Sequence, residues 1–176
     1  MKHVVICACF VALALSAQDK PPETAGGDPW NSISFLQGTW EAKTQGGSAG
    51  ADAGGSYTFQ PELNNHILAR HSRVGDCAGP ATYDCEHHDL LYIFQESPGA
   101  LLKAVYFDNE GHVIHYDVST PNATTAVFTS ESAPSGLQFR LIYELRNAIM
   151  SGKFQMRMPE QADWKSYLEW SGRKKR

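Results

Sequence analysis

From residue 38 onward the chain is a succession of short segments in which apolar and polar residues alternate, separated about every ten residues by turn-forming residues. Alternation places every second side chain on one face of a strand. Strands at this spacing, with no long helix between them, describe an antiparallel all-β meander. The segments fall near 38–44, 55–61, 66–74, 88–95, 101–107, 112–119, 124–132, 137–145, 149–158 and 164–172. Between them lie Gly, Pro and Asn clusters such as Ser97-Pro98-Gly99, Asn109-Glu110-Gly111 and Pro134-Ser135-Gly136, each with its own turn chemistry. An open sheet of about ten strands leaves two edges of unpaired N–H and C=O groups, and closing it into an up-and-down barrel removes both. A two-sheet sandwich is the competing arrangement.

The pattern also says which side chains share a face. In 137–145, Leu137, Phe139, Leu141, Tyr143 and Leu145 stand opposite Gln138, Arg140, Ile142 and Glu144; in 149–158, Met150, Gly152, Phe154, Met156 and Met158 stand opposite Ser151, Lys153, Gln155 and Arg157. These strands are one-sided. The segments at 88–95 and 101–107 divide less cleanly, as expected where mixed side chains line a cavity.

Ahead of the meander, Lys2 and His3 precede an apolar run from Val4 to Leu15, and Ser16-Ala17 then gives way to Gln18-Asp19-Lys20. A basic start, about 12 apolar residues and a small-residue exit describe a secretory signal peptide over 1–17, whereas a membrane-spanning helix needs roughly 20. The mature chain is then expected to have no transmembrane segment and to be secreted or periplasmic. Residues 18–28, rich in Pro, Gly and polar groups, read as a disordered leader. Residues 29–176 form a single domain. Asp28 before Pro29 provides an N-cap with proline at the first helical position, opening a short helix with Trp30, Ile33, Phe35 and Leu36 on its apolar side.

The net charge of −4 becomes one unit more negative without Lys2, which argues against nucleic acid as a partner. The basic cluster Arg173-Lys174-Lys175-Arg176 reads as a solvated tail. After processing, two cysteines remain, Cys77 and Cys85, and an even count in an exported chain favours a disulfide stapling one turn-rich loop. A metal site built on Cys85-Glu86-His87-His88-Asp89 is the weaker alternative, because His87 and His88 point to opposite faces if they enter a strand.

At Phe35-Leu36-x-Gly38-Thr39-Trp40 the sequence resembles the lipocalin and calycin proteins, whose first strand opens with Gly-x-Trp after a short helical segment. Trp170-Ser171-Gly172-Arg173 is similar to their closing strand, in which a basic residue packs over that tryptophan. Over about residues 30–175 the pattern looks like exported bacterial lipocalin-like barrels. The resemblance implies structural closure by Gly38, Trp40, Trp170 and Arg173, with Arg173 as the cation over Trp40. The nitrobindin type, a more distant likeness, holds haem through a histidine on a late strand. This chain has no histidine after His115. Haem is therefore disfavoured, and no cofactor or metal is expected.

No nucleophile elbow, phosphate loop, zinc-binding helix or acid pair at recognisable spacing occurs, so no catalytic residue is assigned. Candidate ligand-binding residues are Arg70, His71, Tyr92, Tyr106, His115 and Tyr143, as polar or amphipathic groups on strands that border the expected interior. Asn122-Ala123-Thr124 is a glycosylation sequon in a turn and reads as loop chemistry. The favoured function is binding of a small, largely apolar molecule inside the barrel. The alternatives are an enzyme using a pocket His and carboxylate, and an envelope protein that engages a protein partner without a small ligand. The ligand's identity and the oligomeric state are left open.

Overall fold

The computed structural model describes residues 29–176. The expected signal peptide, leader and Asp28 cap lie outside the described residues. The chain enters through one helical turn, α1 (Pro29–Ser32), and a 3₁₀ turn (Ser34–Leu36), then runs through ten strands. These are β1 (Gly38–Gly46), β2 (Asp52–Glu62), β3 (Ile67–Ala78), β4 (His88–Gln95), β5 (Leu102–Asp108), β6 (Val113–Asn122), β7 (Thr125–Ser130), β8 (Gln138–Arg146), β9 (Ile149–Arg157) and β10 (Lys165–Lys174). Each strand pairs antiparallel with its sequence neighbours, and β1 pairs with β10. The sheet is a closed barrel, not a sandwich. No helix among the described residues is long and apolar enough to cross a membrane.

The largest departure from the sequence reading is at β2 and β3, which run beyond the expected 55–61 and 66–74, β2 starting at Asp52 and β3 ending at Ala78. Ala53 pairs with Cys77, and a bulge then restores the register at Gly55 opposite Val74. The glycines here allow close backbone approach: a Cβ on Gly55 would stand 2.5 Å from the Arg73 carbonyl oxygen. They bring two strands together and do not end them. Cys77, near the end of β3, is disulfide-bonded to Cys85 in the loop that leads to β4.

One end of the barrel is filled. The entry turns fold back over it, burying Ile33 and Leu36 against Trp40, Phe59, Leu91, Ile93, Leu102 and Met150. The indole N–H of Trp40 donates to the Leu36 carbonyl oxygen at 2.8 Å, which ties the plug to the first strand. The Trp30 indole N–H donates to Gln95 Oε1 at 3.1 Å on β4.

The Gly-x-Trp element meets the last strand as expected, with one correction. Trp40 is opposite Lys174, and Arg173 is opposite Glu41, so the arginine lies on the outer face. The cation over Trp40 is Lys174, with Nζ 5.7 Å from the ring centroid. Gly38 makes this possible. Its φ of +111° is rarely adopted by residues with a side chain, and a Cβ there would stand 2.2 Å from Lys174 Cε. The glycine is the gap through which the lysine stem reaches the indole.

Lys174→Ala is expected to lower stability by about 0.5–1 kcal/mol through loss of the cation–π contact and stem packing. Arg173→Ala should stay within about 0.5 kcal/mol of the parent. Urea unfolding of both variants checks this, and a larger loss from Arg173→Ala would reverse the assignment.

Candidate functional site

The opposite end of the barrel holds a cavity of about 420 Å³. Its two walls differ because opposite sides of the barrel carry different inward registers. The β8–β10 side presents Phe139, Leu141, Phe154, Met156 and Leu168. Phe139 and Phe154 stack with ring planes 9° apart, and Phe154 meets Tyr167 edge-on. The β3–β6 side presents Arg70, Asp89, Tyr106, Asp108 and Tyr116, together with His87 from the loop before β4. The cysteine loop contributes Thr82, Tyr83 and Asp84 to the rim.

Tyr143 lies at the base, fully buried and ringed by Tyr57, Phe59, Phe128 and Trp170 at centroid distances of 5.7, 5.3, 6.2 and 5.8 Å. Gly152 makes room for this cluster. It is opposite Tyr143 on one side and Trp170 on the other, and a Cβ there would stand 2.1 Å from the Trp170 ring.

Arg70 projects inward from β3 at 5% exposure. Its Nη1 donates to the Tyr143 hydroxyl oxygen, and its Nη2 forms an ion pair with Asp89 Oδ1 on the adjacent strand. Burial opposes the charge on Arg70, but Asp89 and the surrounding phenol oxygens outweigh it and hold the guanidinium protonated. Burial likewise opposes ionisation of Asp89, and Arg70 and His87 outweigh it, keeping the carboxyl below its ordinary pKa.

The network continues to the rim. His87 Nε2 lies 3.4 Å from Asp89 Oδ2 and 3.2 Å from the Tyr106 hydroxyl, while Nδ1 lies 2.9 Å from Glu110 Oε1. Tyr106 donates to Asp108 Oδ2 at 3.1 Å, and the same oxygen is 2.9 Å from His112 Nδ1. Hydrogen bonding to Asp89 raises the His87 pKa above its ordinary value, with burial opposing and Glu110 assisting.

Asp84, His87 and Glu110 each present a potential metal-ligand atom, all within 4.8 Å of one another. These atoms are already committed. His87 Nδ1 faces Glu110, and Asp84 accepts from Asn109 Nδ2 and the Glu86 backbone N–H, both at 2.8 Å. Hydrogen bonds within the cluster account for its geometry.

Of the six residues singled out in the sequence, the structure brings Arg70, Tyr106 and Tyr143 together on the cavity lining. The other three face outward. His71 follows the inward Arg70 and pairs with Glu62 at 3.2 Å on the outer surface. Tyr92 packs edge-on against Phe107, itself on the outside. His115 is exposed beside the inward Tyr116. The sequence reading has Asp89 and His87 only in the weaker metal-site alternative, and does not single out Tyr57 or Tyr116 as ligand candidates, although all four line the cavity. Asp89 was detectable: it shares a face with Leu91 and Ile93, and a carboxylate on a core face requires an inward cation on a neighbouring strand. Arg70, in step with Leu68, supplies it.

Removing one member of the buried pair leaves the other uncompensated. Arg70→Met and Asp89→Leu are each expected to cost about 3–5 kcal/mol, and the double variant less than their sum. Chemical denaturation of the three variants measures this, and strict additivity would dissociate the pair.

The raised pKa of His87 means that its stabilising contribution is complete below the unfolded value of about 6.5 and is lost as pH rises through the higher folded value. Stability should therefore fall as pH rises through the neutral range, and His87→Gln should flatten that part of the profile. The depressed Asp89 has the opposite sign: its contribution is present above about pH 4 and is lost on acidification through the folded pKa. Thermal melts across pH test both, and an unchanged neutral slope in His87→Gln would remove His87 as its source.

No protein-family model matches the sequence, and no curated protein matches it.

Proposed function

We propose that the protein is an exported, lipocalin-like binding protein that holds one small, largely apolar molecule in the open half of its barrel. The observation that carries this reading is the 420 Å³ cavity, apolar on one wall and polar on the other. A dry, apolar cavity of about 150 Å³ is enough to admit benzene, and small-molecule sites begin at about 300 Å³. The present cavity is within the range of a ligand site and well above that of a packing defect. Its lining also has the usual composition of such sites, mostly apolar surface with a few fixed polar groups.

Export is supported by the Cys77–Cys85 disulfide, since such bonds persist in oxidising compartments, and by the signal-like pattern of residues 1–17. Membership of the lipocalin-like proteins is supported by Gly38-x-Trp40 at the start of a closed ten-stranded meander. An acid–base enzyme is the second reading. It is favoured by His87, which lines the cavity between Asp89 and Glu110, in place of the outward His71 and His115.

Titration with Nile red, followed by its emission, tests the binding reading. One dye per chain is expected, and Ala42→Phe, which extends a side chain into the cavity from β1, should weaken uptake about tenfold, equivalent to about 1.4 kcal/mol. A folded protein that takes up no dye, or takes it up equally after Ala42→Phe, would overturn the reading. Turnover lost in His87→Gln while dye affinity is retained would favour the enzyme.

A further inference from the structure

Among the described residues, Tyr57 Oη, Arg70 Nε, Tyr116 Oη, Trp170 Nε1 and Thr125 Oγ1 are buried side-chain atoms outside any well-aligned hydrogen bond. The Trp170 indole N–H lies within side-chain hydrogen-bonding reach of the Tyr57 hydroxyl oxygen, so it has an acceptor while the Tyr57 O–H proton has none. Of the groups still unmet, the Tyr57 O–H, Arg70 Nε and the Tyr116 hydroxyl belong to residues that line the cavity, from β2, β3 and β6. A buried polar group left unpaired costs about 1–3 kcal/mol, and native proteins tolerate few of them. Three around one cavity point to a partner that enters it.

From this arrangement, and resting on the binding reading above, we infer that the ligand carries a neutral hydrogen-bond-accepting oxygen, a carbonyl, which enters first and is met by these donors at the cavity base. The chemistry of the three groups fixes the sign. A guanidinium N–H can only donate, and the Tyr57 oxygen already faces the Trp170 indole N–H, so what Tyr57 has left to offer is its proton. Burial raises the pKa of Tyr57 and Tyr116, so both phenols keep their protons and remain able to donate. The base is rich in protons to give and poor in dedicated acceptors.

Charge decides between a carbonyl and a carboxylate. The one cation at the base, Arg70, is already paired with Asp89 and hydrogen-bonded to Tyr143. Asp84, Asp108 and Glu110 add negative charge toward the rim, against His87, His112 and the exposed Arg73 and Lys43, the last of these paired with Asp52 at 3.2 Å. An anionic head would pass carboxylates to reach a guanidinium whose charge is spent, whereas a neutral carbonyl gains the donors without that repulsion. The apolar remainder of the molecule would lie against Phe139, Phe154, Met156 and Leu168.

Displacement of Nile red by three molecules of one shape provides the test: 2-acetylnaphthalene, 2-ethylnaphthalene and 2-naphthoate. The ketone is expected to displace the dye at about tenfold lower concentration than either of the others, the scale of one or two net hydrogen bonds. In the Tyr57→Phe, Tyr116→Phe double variant the preference for the ketone over 2-ethylnaphthalene, compared within that variant, should shrink to about threefold or less. The carbonyl stretch of bound 2-acetylnaphthalene should lie at lower frequency than in hexane and return toward the hexane value in the double variant. Equal displacement by ketone and hydrocarbon, or preference for the naphthoate, overturns the carbonyl assignment and leaves the binding reading standing. Absence of dye uptake overturns both.

Discussion

The pairing of β1 with β10 is the constraint on which the rest of this molecule depends. Ten antiparallel strands without it would expose two long edges, each a template for association with other chains. With it, every strand has two partners, and one parity of each strand is committed to the interior. The same register brings Lys174 over Trp40 and places Trp170 opposite Gly152, so closure also assembles part of the cavity base. A one-residue slip at this seam would exchange Lys174 for Arg173 over Trp40 and turn Trp170 out of the interior.

A barrel of this strand number encloses more volume than its own side chains need to fill, and the sequence resolves this differently at the two ends. At the entry end, Ile33 and Leu36 bring additional apolar volume from outside the sheet, and the Trp40–Leu36 hydrogen bond holds it there. At the other end there is no second plug among the described residues. The cysteine loop borders the opening with Thr82, Tyr83 and Asp84, and its disulfide fixes it to the end of β3. The Tyr143 cluster separates the two regions. Glycine at 152 lets Tyr143 and Trp170 approach edge-on from both sides, which makes this aromatic layer dense enough to act as a base.

The fold was legible in the sequence because its signals are local. Alternation in Phe139-Arg140-Leu141-Ile142-Tyr143 and turn residues such as Pro98-Gly99 each act within a few residues, and the nine turns between the ten strands are therefore visible without knowing what pairs with what, one of them read too long. The exception is instructive. Gly54 and Gly55 carry a turn signal, yet they lie in β2, because closeness to β3 is a property of two strands and cannot be read from one. The site is mostly of this second kind. His71 and His115 attract attention as titratable groups, but their neighbours Arg70 and Tyr116 occupy the inward positions. Inward or outward is a matter of parity, and parity is set by the core residues flanking each position. Leu68 assigns Arg70 to the interior, and Leu91 and Ile93 assign Asp89. What no single strand reveals is that Arg70 and Asp89 meet, since this depends on the β3–β4 register.

Their meeting also explains why this interior is polar in one place and apolar elsewhere. A buried ion pair is weak evidence for stability, because desolvation of both charges offsets most of their attraction, and well-packed apolar residues would serve the core at least as well. Its value lies in orientation. Asp89 and Tyr143 engage the two terminal nitrogens of Arg70 and fix the guanidinium plane, which leaves Nε as the nitrogen without an acceptor. Asp89 in turn holds His87, and His87 reaches Tyr106 and Glu110, so the chain of contacts runs from the base to the rim along one wall. A wall of fixed dipoles facing a wall of phenylalanine, methionine and leucine gives the cavity a direction. A molecule with one polar end and an apolar body fits it in one orientation, and reversing that molecule would bury its polar end against Phe139 and Phe154 and leave the donors of the base unmet.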